Sequence, residues 1–452
     1  MGDQPSDMRL SRRQVMSGAA VVGGAAAVDL LKPAILAATR QSGPEDFDAV
    51  VPTAWFDLAL TLARTTPGFT PPVASRAFGY VGLTLYESVV PGSRQLQSLA
   101  RRLQGLRVPR GRGRAHWPTV ANAAMAQILR SLFPTTSAEN LAAIEALESS
   151  HVQALRRALS RSTLLASVER GRQVADAVFR WSRDDGGHDG FLRNFPPSYQ
   201  APIGASLWQP TPPGFQPALQ PLWGTNRCLA VTDGGAACPP GNHTPYSEQP
   251  GSAFHADAAE VFDAVNNLTD EQAAIARFWS DDPGVTATPP GHSISIATQV
   301  LRLEHASLMV AAETYAKVGI AVCDAFIACW NTKYRYNLLR PVTYIQRLID
   351  PAWVSLLTTP PFPEYTSGHS VQSGAAFAVL ADLFGDAYTF DDHTHENRGV
   401  ASRHFESFSQ AADEAAISRL YGGIHFRPAI QLGLQQGRCI ADAVNDLPFR
   451  RR

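Results

Sequence analysis

The chain has 452 residues, room for two to three domains at roughly 150 residues each. Hydrophobic residues make up 45% and charged residues only 17%, so a large core can be buried. The net charge of -1 argues against a general nucleic-acid binder, and five cysteines exclude a disulfide scaffold. No apolar run is long enough for a membrane span.

Taken in chain order, residues 1–40 read as an address and not as a fold element. Arg12-Arg13 follow Ser11 and precede a short Ala/Gly/Val run from Gly18 to Val28, the pattern of a twin-arginine export signal. Localisation is therefore expected to be periplasmic or extracellular. Helical periodicity then covers residues 48–66, 73–89, 117–133, 137–163 and 165–184. An N-terminal helical bundle is expected over residues 45–185. Residues 186–255 are too rich in proline for regular helix. The interleaved Phe195, Tyr199, Trp208, Phe215 and Trp223 point to an ordered wrapping loop instead of a free linker.

Helical patterns resume at 256–280, 292–331, 342–357, 370–385, 406–421 and 427–445, which sets a second bundle at 256–452. Almost no two-residue alternation is present, so the fold class is all-α. Residues 78–89 echo 315–326, matching Gly82 with Gly319 and Glu87 with Asp324; duplication and chance both explain this. Cys228 and Cys238 bracket a loop and are candidates to pair, whereas Cys323 and Cys329 read as core thiols.

Three segments carry candidate chemistry. In the first, Lys333 and Arg340 are seven residues apart, placing them on one helix face before Pro341. Lysine occurs only at Lys32, Lys317 and Lys333, so its use here stands out. In the second, Ser367, Gly368 and His369 precede an apolar helical run. A helix N-terminus there offers free N–H groups to an oxyanion, although Ser367 also suits a plain N-cap. In the third, Gly422-Gly423 break the periodicity between Arg419 and His425, letting both turn to one point. Three cations, a helix N-terminus and two imidazoles suit a tetrahedral dianion. No Gly-rich phosphate loop, HExxH or zinc-type Cys spacing is present.

K-x6-RP, SGH and SR-x5-H in this order resemble the vanadium-dependent haloperoxidases and the related type 2 phosphatidic acid phosphatases and bacterial acid phosphatases. The segments SLWQPTPPGFQPALQPLWG, FWSDDPGVTATPPGHS and PFPEYTSGHS look like the bacterial haloperoxidase branch, so the likeness covers most of the chain after residue 40. The resemblance implies two four-helix bundles. It also implies a vanadate (or phosphate) held by Lys333, Arg340, Ser367, Gly368 and Arg419, with His425 as the axial ligand. His369 would act as acid–base and Lys333 would polarise bound peroxide, so that hydrogen peroxide oxidises a halide to hypohalous acid. Vanadium would serve as a Lewis acid without changing oxidation state. The phosphatase alternative uses His425 as nucleophile, through a phosphohistidine, and His369 as the proton donor. A third alternative is a catalytically silent anion-binding protein.

Implied partners are small molecules: hydrogen peroxide, halide and an organic acceptor. A homodimer is neither argued nor excluded by any residue. Thr366 stands where the family often has Pro, which is expected to loosen the turn slightly. Asp281 or Asp282 is a candidate to orient His369 and raise its pKa, with a helix-terminal Asp pair as the simpler alternative. His292 sits in the same segment, and His393 and His395 suit either a surface metal or a solvated loop.

Overall fold

The computed structural model describes residues 42–451, apart from 110–114, 156–158 and 234–235; the twin-arginine segment lies outside the described residues. The described residues form thirteen α-helices and one two-stranded hairpin. The N-terminal half contributes α1 (Val50–Thr65), α2 (Pro71–Val89), α3 (Trp117–Leu132), α4 (Ala138–Leu155) and α5 (Arg161–Ser182). The C-terminal half contributes α6 (Ala253–Asn266), α7 (Asp270–Phe278), α8 (Thr288–Leu303), α9 (Leu308–Tyr336), α10 (Pro341–Leu348) and α11 (Gly368–Phe384). The hairpin pairs β1 (Phe390–Asp392) with β2 (Arg403–Phe405), antiparallel, before α12 (Phe408–Tyr421) and α13 (Arg427–Asn445). No helix of the described residues is long and apolar enough to cross a membrane.

Capping residues explain where the expected helices divide. The pattern over 256–280 is two helices, because Thr269 accepts from the Gln272 N–H and starts α7 with a capping box. The pattern over 292–331 is also two: Ser307 caps α9 through the Val310 N–H, and His305 before it is left-handed (φ 46°). The run at 342–357 is helical only to Leu348.

Helix α9 lies at the centre, buried along almost its whole length. It packs on α2 on one side and on α11 on the other; α11 packs in turn on α13, and α3 on α5. The α2–α9 crossing is close because it is built on the two glycines that echo one another. A Cβ on Gly82 would stand 2.2 Å from the Tyr315 carbonyl oxygen, and one on Gly319 would stand 2.6 Å from that of Phe78. Helix α8 packs on α1 and α2 as well as on α9 and α11, so it ties the two halves together.

The described residues of the 186–252 segment form no α-helix but are pinned. The Trp208 and Leu219 N–H groups donate to the carbonyls of Asn337 and Pro361. The Asp324 carboxylate, raised to about 6 by burial, accepts from the N–H groups of Leu229, Ala230 and Val231. Its echo partner Glu87 does the same for Leu99 N–H and the Ser98 hydroxyl. The cysteine expectation needs correcting. Cys238 bonds to Cys439 on α13, fastening the loop to the last helix, and Cys228 is a free thiol. Spacing brought Cys228 and Cys238 together on paper, but the chain carries Cys238 away to α13. Cys323 and Cys329 are buried thiols in α9.

Candidate anion-binding site

The three sequence segments converge, though not by the route their spacing suggested. Lys333 is in the last turn of α9, but the helix stops at Tyr336 and Asn337 takes the left-handed conformation (φ 47°). Arg340 is therefore not on the helix face of Lys333. It is the N-cap residue of α10, and Pro341 starts that helix. Ser367 caps α11, its hydroxyl oxygen accepting from the Ser370 N–H at 3.3 Å. This leaves Gly368 and His369 in a first turn whose N–H groups have no acceptor within the helix. Arg419 closes α12, and Gly423 (φ 76°) swings the chain so that His425 returns toward Arg340.

His425 Nδ1 is 2.9 Å from Glu364 Oε1, which also accepts from the Phe426 N–H at 2.9 Å. Burial, reinforced by Arg340, Lys333 and Arg419, holds the His425 pKa well below its ordinary value. The imidazole is thus neutral, and its one proton sits on Nδ1 toward Glu364. Nε2 keeps its lone pair, facing Arg340 Nη1 at 3.1 Å. Glu364 is itself raised to about 7 by burial, against the pull of Lys333 and Arg340.

Arg340 and Arg419 are buried, and that burial lowers each to about 10. Arg340 spends Nε on the Phe362 carbonyl and Nη1 on the Ile424 carbonyl, but its buried Nη2 has no partner. Arg419 donates to the Ser418 hydroxyl and the Ala276 carbonyl. Lys333 is lowered to about 7 by burial, and its ammonium donates to the carbonyls of Pro363, Glu364 and Thr366 at 2.9, 3.0 and 2.5 Å. Phe362 lies under both Lys333 and Arg340, 5.0 and 4.8 Å from its ring centre.

Gly368, His369, Arg419 and His425 line a cavity of about 520 Å³. Its other walls are mostly apolar: Phe195 and Phe215 from the proline-rich loop, Pro283, and Phe326 and Trp330 from α9. Lys333 and Arg340 do not line it; Arg340 reaches it through His425, and Lys333 is tied to the turn that leads to Ser367. His369 opens partly on the cavity, and its Nε2 has no hydrogen-bond partner.

Three expectations around the site change. Thr366 does not loosen its turn: it is buried, its hydroxyl donates to Gln436 Oε1 at 2.8 Å, and its carbonyl receives Lys333. Neither aspartate hydrogen-bonds His369, and although Asp281 pulls its pKa upward the net shift is downward. Burial and Arg419 hold that pKa well below normal, outweighing Asp281 and a hydrogen bond with the Trp279 backbone. Asp281 is engaged elsewhere, with His292. His395 is buried and not on the surface, while His393 is exposed and paired with Glu396. Sequence reasoning missed Glu364. Its only signal was being the one acidic residue in PFPEYTSGHS, three positions before Ser367.

The donor set fits a tetrahedral oxyanion. Arg340 Nη2 is a buried donor without a partner, and a helix N-terminus and a second guanidinium add further donors. The family model described as the VCPO second helical-bundle domain matches residues 313–450. A vanadium chloroperoxidase of Curvularia inaequalis is 24% identical over 493 residues, covering 85% of this chain and 80% of that protein. The crystal structure described as the first bacterial vanadium-dependent iodoperoxidase superposes with a TM-score of 0.82 and 35% identity, covering 89% of this chain and 97% of that one. A holo-type bacterial vanadium-dependent chloroperoxidase shares the fold, with a TM-score of 0.64, 19% identity, and coverage of 84% and 93%. The chain belongs to the vanadium-dependent haloperoxidase family.

Proposed function

We propose that the protein is a vanadate-dependent peroxidase that uses hydrogen peroxide to oxidise a halide, with iodide as the substrate. The observation that carries this is the pairing of two neutral, buried imidazoles with an apolar cavity above them. Apart from its floor, Asp281, Asp282 and a few hydroxyl side chains, the cavity presents mostly apolar surface to the leaving group of a phosphomonoester. It would admit peroxide, halide and an apolar acceptor. Iodide follows from the 35% identical iodoperoxidase.

Arg340, Arg419, Ser367 and the first-turn N–H groups of Gly368 and His369 would hold a bound vanadate, and His425 Nε2 would offer it a nitrogen ligand. Lys333 would join them by giving up one of its three carbonyls. When bound, vanadate supplies a Lewis-acid centre for peroxide without redox change. Glu364 keeps the His425 proton on Nδ1, so Nε2 stays available as a base. His369 Nε2, unpaired and unprotonated, takes the proton that incoming peroxide gives up and returns it to the oxygen that leaves. Trp330 and Phe362 shield the cations from water, which strengthens their hold on an anion.

Export through the Arg12-Arg13 segment is part of the same proposal, and the Cys238–Cys439 disulfide supports an oxidising destination. The test uses protein stripped of vanadium and phosphate, assayed with and without orthovanadate. The expected result is peroxide-dependent iodide oxidation that appears only with orthovanadate. Phosphomonoester hydrolysis that vanadate suppresses, without iodide oxidation, would overturn it in favour of the phosphohistidine chemistry the same residues permit.

A further inference from the structure

Behind the anion site lies a second cluster that the proposed reaction does not use. Asp281, His292 and His395 are each 2% exposed, and Asp392 is fully buried. They come from the loop after α7, from α8 and from the hairpin, the last 100 positions from His292 at Asp392. His292 Nδ1 is 2.8 Å from Asp281 Oδ2, and His292 Nε2 is 2.7 Å from Asp392 Oδ2. His395 Nε2 is 3.3 Å from Asp281 Oδ1, yet neither atom makes a hydrogen bond. These two buried atoms therefore meet only as a long ion pair, short of hydrogen-bond geometry.

We propose that Asp281, His292 and His395 form a binding site for a divalent cation of the zinc type, with Asp392 holding His292 from behind. One ligand atom from each of the three lies within 4.8 Å of the others. Two imidazole nitrogens and one carboxylate oxygen are a recurrent three-ligand set for Zn²⁺, with a fourth position left to water. His292 loses its Nδ1 proton to solvent and ligates through that nitrogen. Its Nε2–H stays on Asp392, the carboxylate–histidine–metal arrangement that fixes ring orientation. Asp392 is held in turn by the Thr394 N–H at 2.9 Å. The charge balances, since a dication offsets the two buried carboxylates.

The ligand rings are already fixed. Trp279 stacks on His292 at 4.5 Å, and His395 packs edge-on against Phe278 at 5.1 Å. A cavity of about 300 Å³, lined by Asp281, His292, Ser295, Thr394 and His395, gives an entry path, and Asp281 also lines the peroxidase cavity. Arg64 and Arg398 line its outer part, which favours hydroxide over water as the fourth ligand. The cation clips the hairpin and α8 to the loop carrying Asp281 and Asp282, which also faces the anion site.

The test uses untagged full-length chain freed of metal with EDTA and titrated with ZnCl₂ by calorimetry, with bound metal counted by mass spectrometry. One Zn²⁺ per chain is expected, with a rise in melting temperature. Co²⁺ in its place is expected to give the intense visible bands of a four-coordinate site. His395→Gln is expected to lose binding by at least ~10-fold and to lose the Co²⁺ bands, with Asp392→Asn intermediate. His404→Ala, at an exposed histidine flanked by Asp391 and Glu406, is expected to change nothing. The proposal is overturned if wild type takes up no zinc or is not stabilised by it. It is also overturned if binding survives His395→Gln or disappears in His404→Ala. If His395→Gln fails to fold, Asp392→Asn decides: zinc binding must weaken in it and stay unchanged in His404→Ala, and the reverse overturns the proposal.

Discussion

The His425→Ala chain is expected to lose iodide oxidation by about 10³-fold or more at saturating orthovanadate. His425 presents the one buried nitrogen lone pair that faces Arg340, and its orientation is over-determined: Glu364 holds Nδ1 while Arg340 approaches Nε2. Alanine keeps neither function. Glu364 would still accept the Phe426 N–H, so the stability cost is about 1–3 kcal/mol and the fold is expected to survive. Steady-state rates beside a thermal melt separate the two effects. A folded variant retaining a tenth of the wild-type rate would remove His425 from the chemistry. Under the phosphohistidine alternative a comparable loss of phosphomonoester hydrolysis is expected, so this variant tests the site and not the choice of reaction.

Glu364→Gln is expected to weaken orthovanadate binding by ~10–100-fold at pH 8. Ionised Glu364 makes His425 a better base by accepting its Nδ1–H, and an amide accepts the same bond without the charge. Removing a negative charge would by itself favour an anion. That gain offsets part of the loss, because Lys333 and Arg340 would no longer be partly neutralised by Glu364. The sign of the pH effect follows. Burial raises Glu364 to about 7, so wild type carries the carboxylate above that pH and loses it below. Wild-type and variant affinities are therefore expected to diverge above pH 7 and converge toward pH 6. Parallel curves across that range would show that the Glu364 charge does not act through His425.

The helical fold was legible because its signals are local. Period-3.6 patterns marked nearly every helix, and the Gly82–Gly319 echo proved to be the helix crossing at the centre of the molecule. Helix ends were less so: Thr269 and Ser307 are ordinary polar residues until their oxygens are seen to cap a following turn. The site divides the same way. Lys333, Ser367, Gly368, His369, Arg419 and His425 were legible as residue types in order. The geometry joining Lys333 to Arg340 was not, because Asn337 ends the helix between them and nothing in the spacing announces a left-handed residue.

Glu364 and the Asp281–His292–Asp392–His395 cluster were illegible for another reason. Their meaning lies in burial and in contacts such as His292 to Asp392, 100 positions apart. In sequence, DDHTHEN reads as a solvated loop. The short hairpin of β1 and β2 turns Asp392 and His395 inward, and no alternation over three residues could have predicted it.

Equilibrium binding of orthovanadate to the stripped wild-type chain decides whether these residues hold vanadate. Saturable uptake of one vanadate per chain is expected, competed by phosphate and lost in Arg340→Ala, whose free Nη2 is among the few unpartnered buried donors at the site. No saturable uptake by folded protein, or uptake indifferent to phosphate and to Arg340, would contradict it.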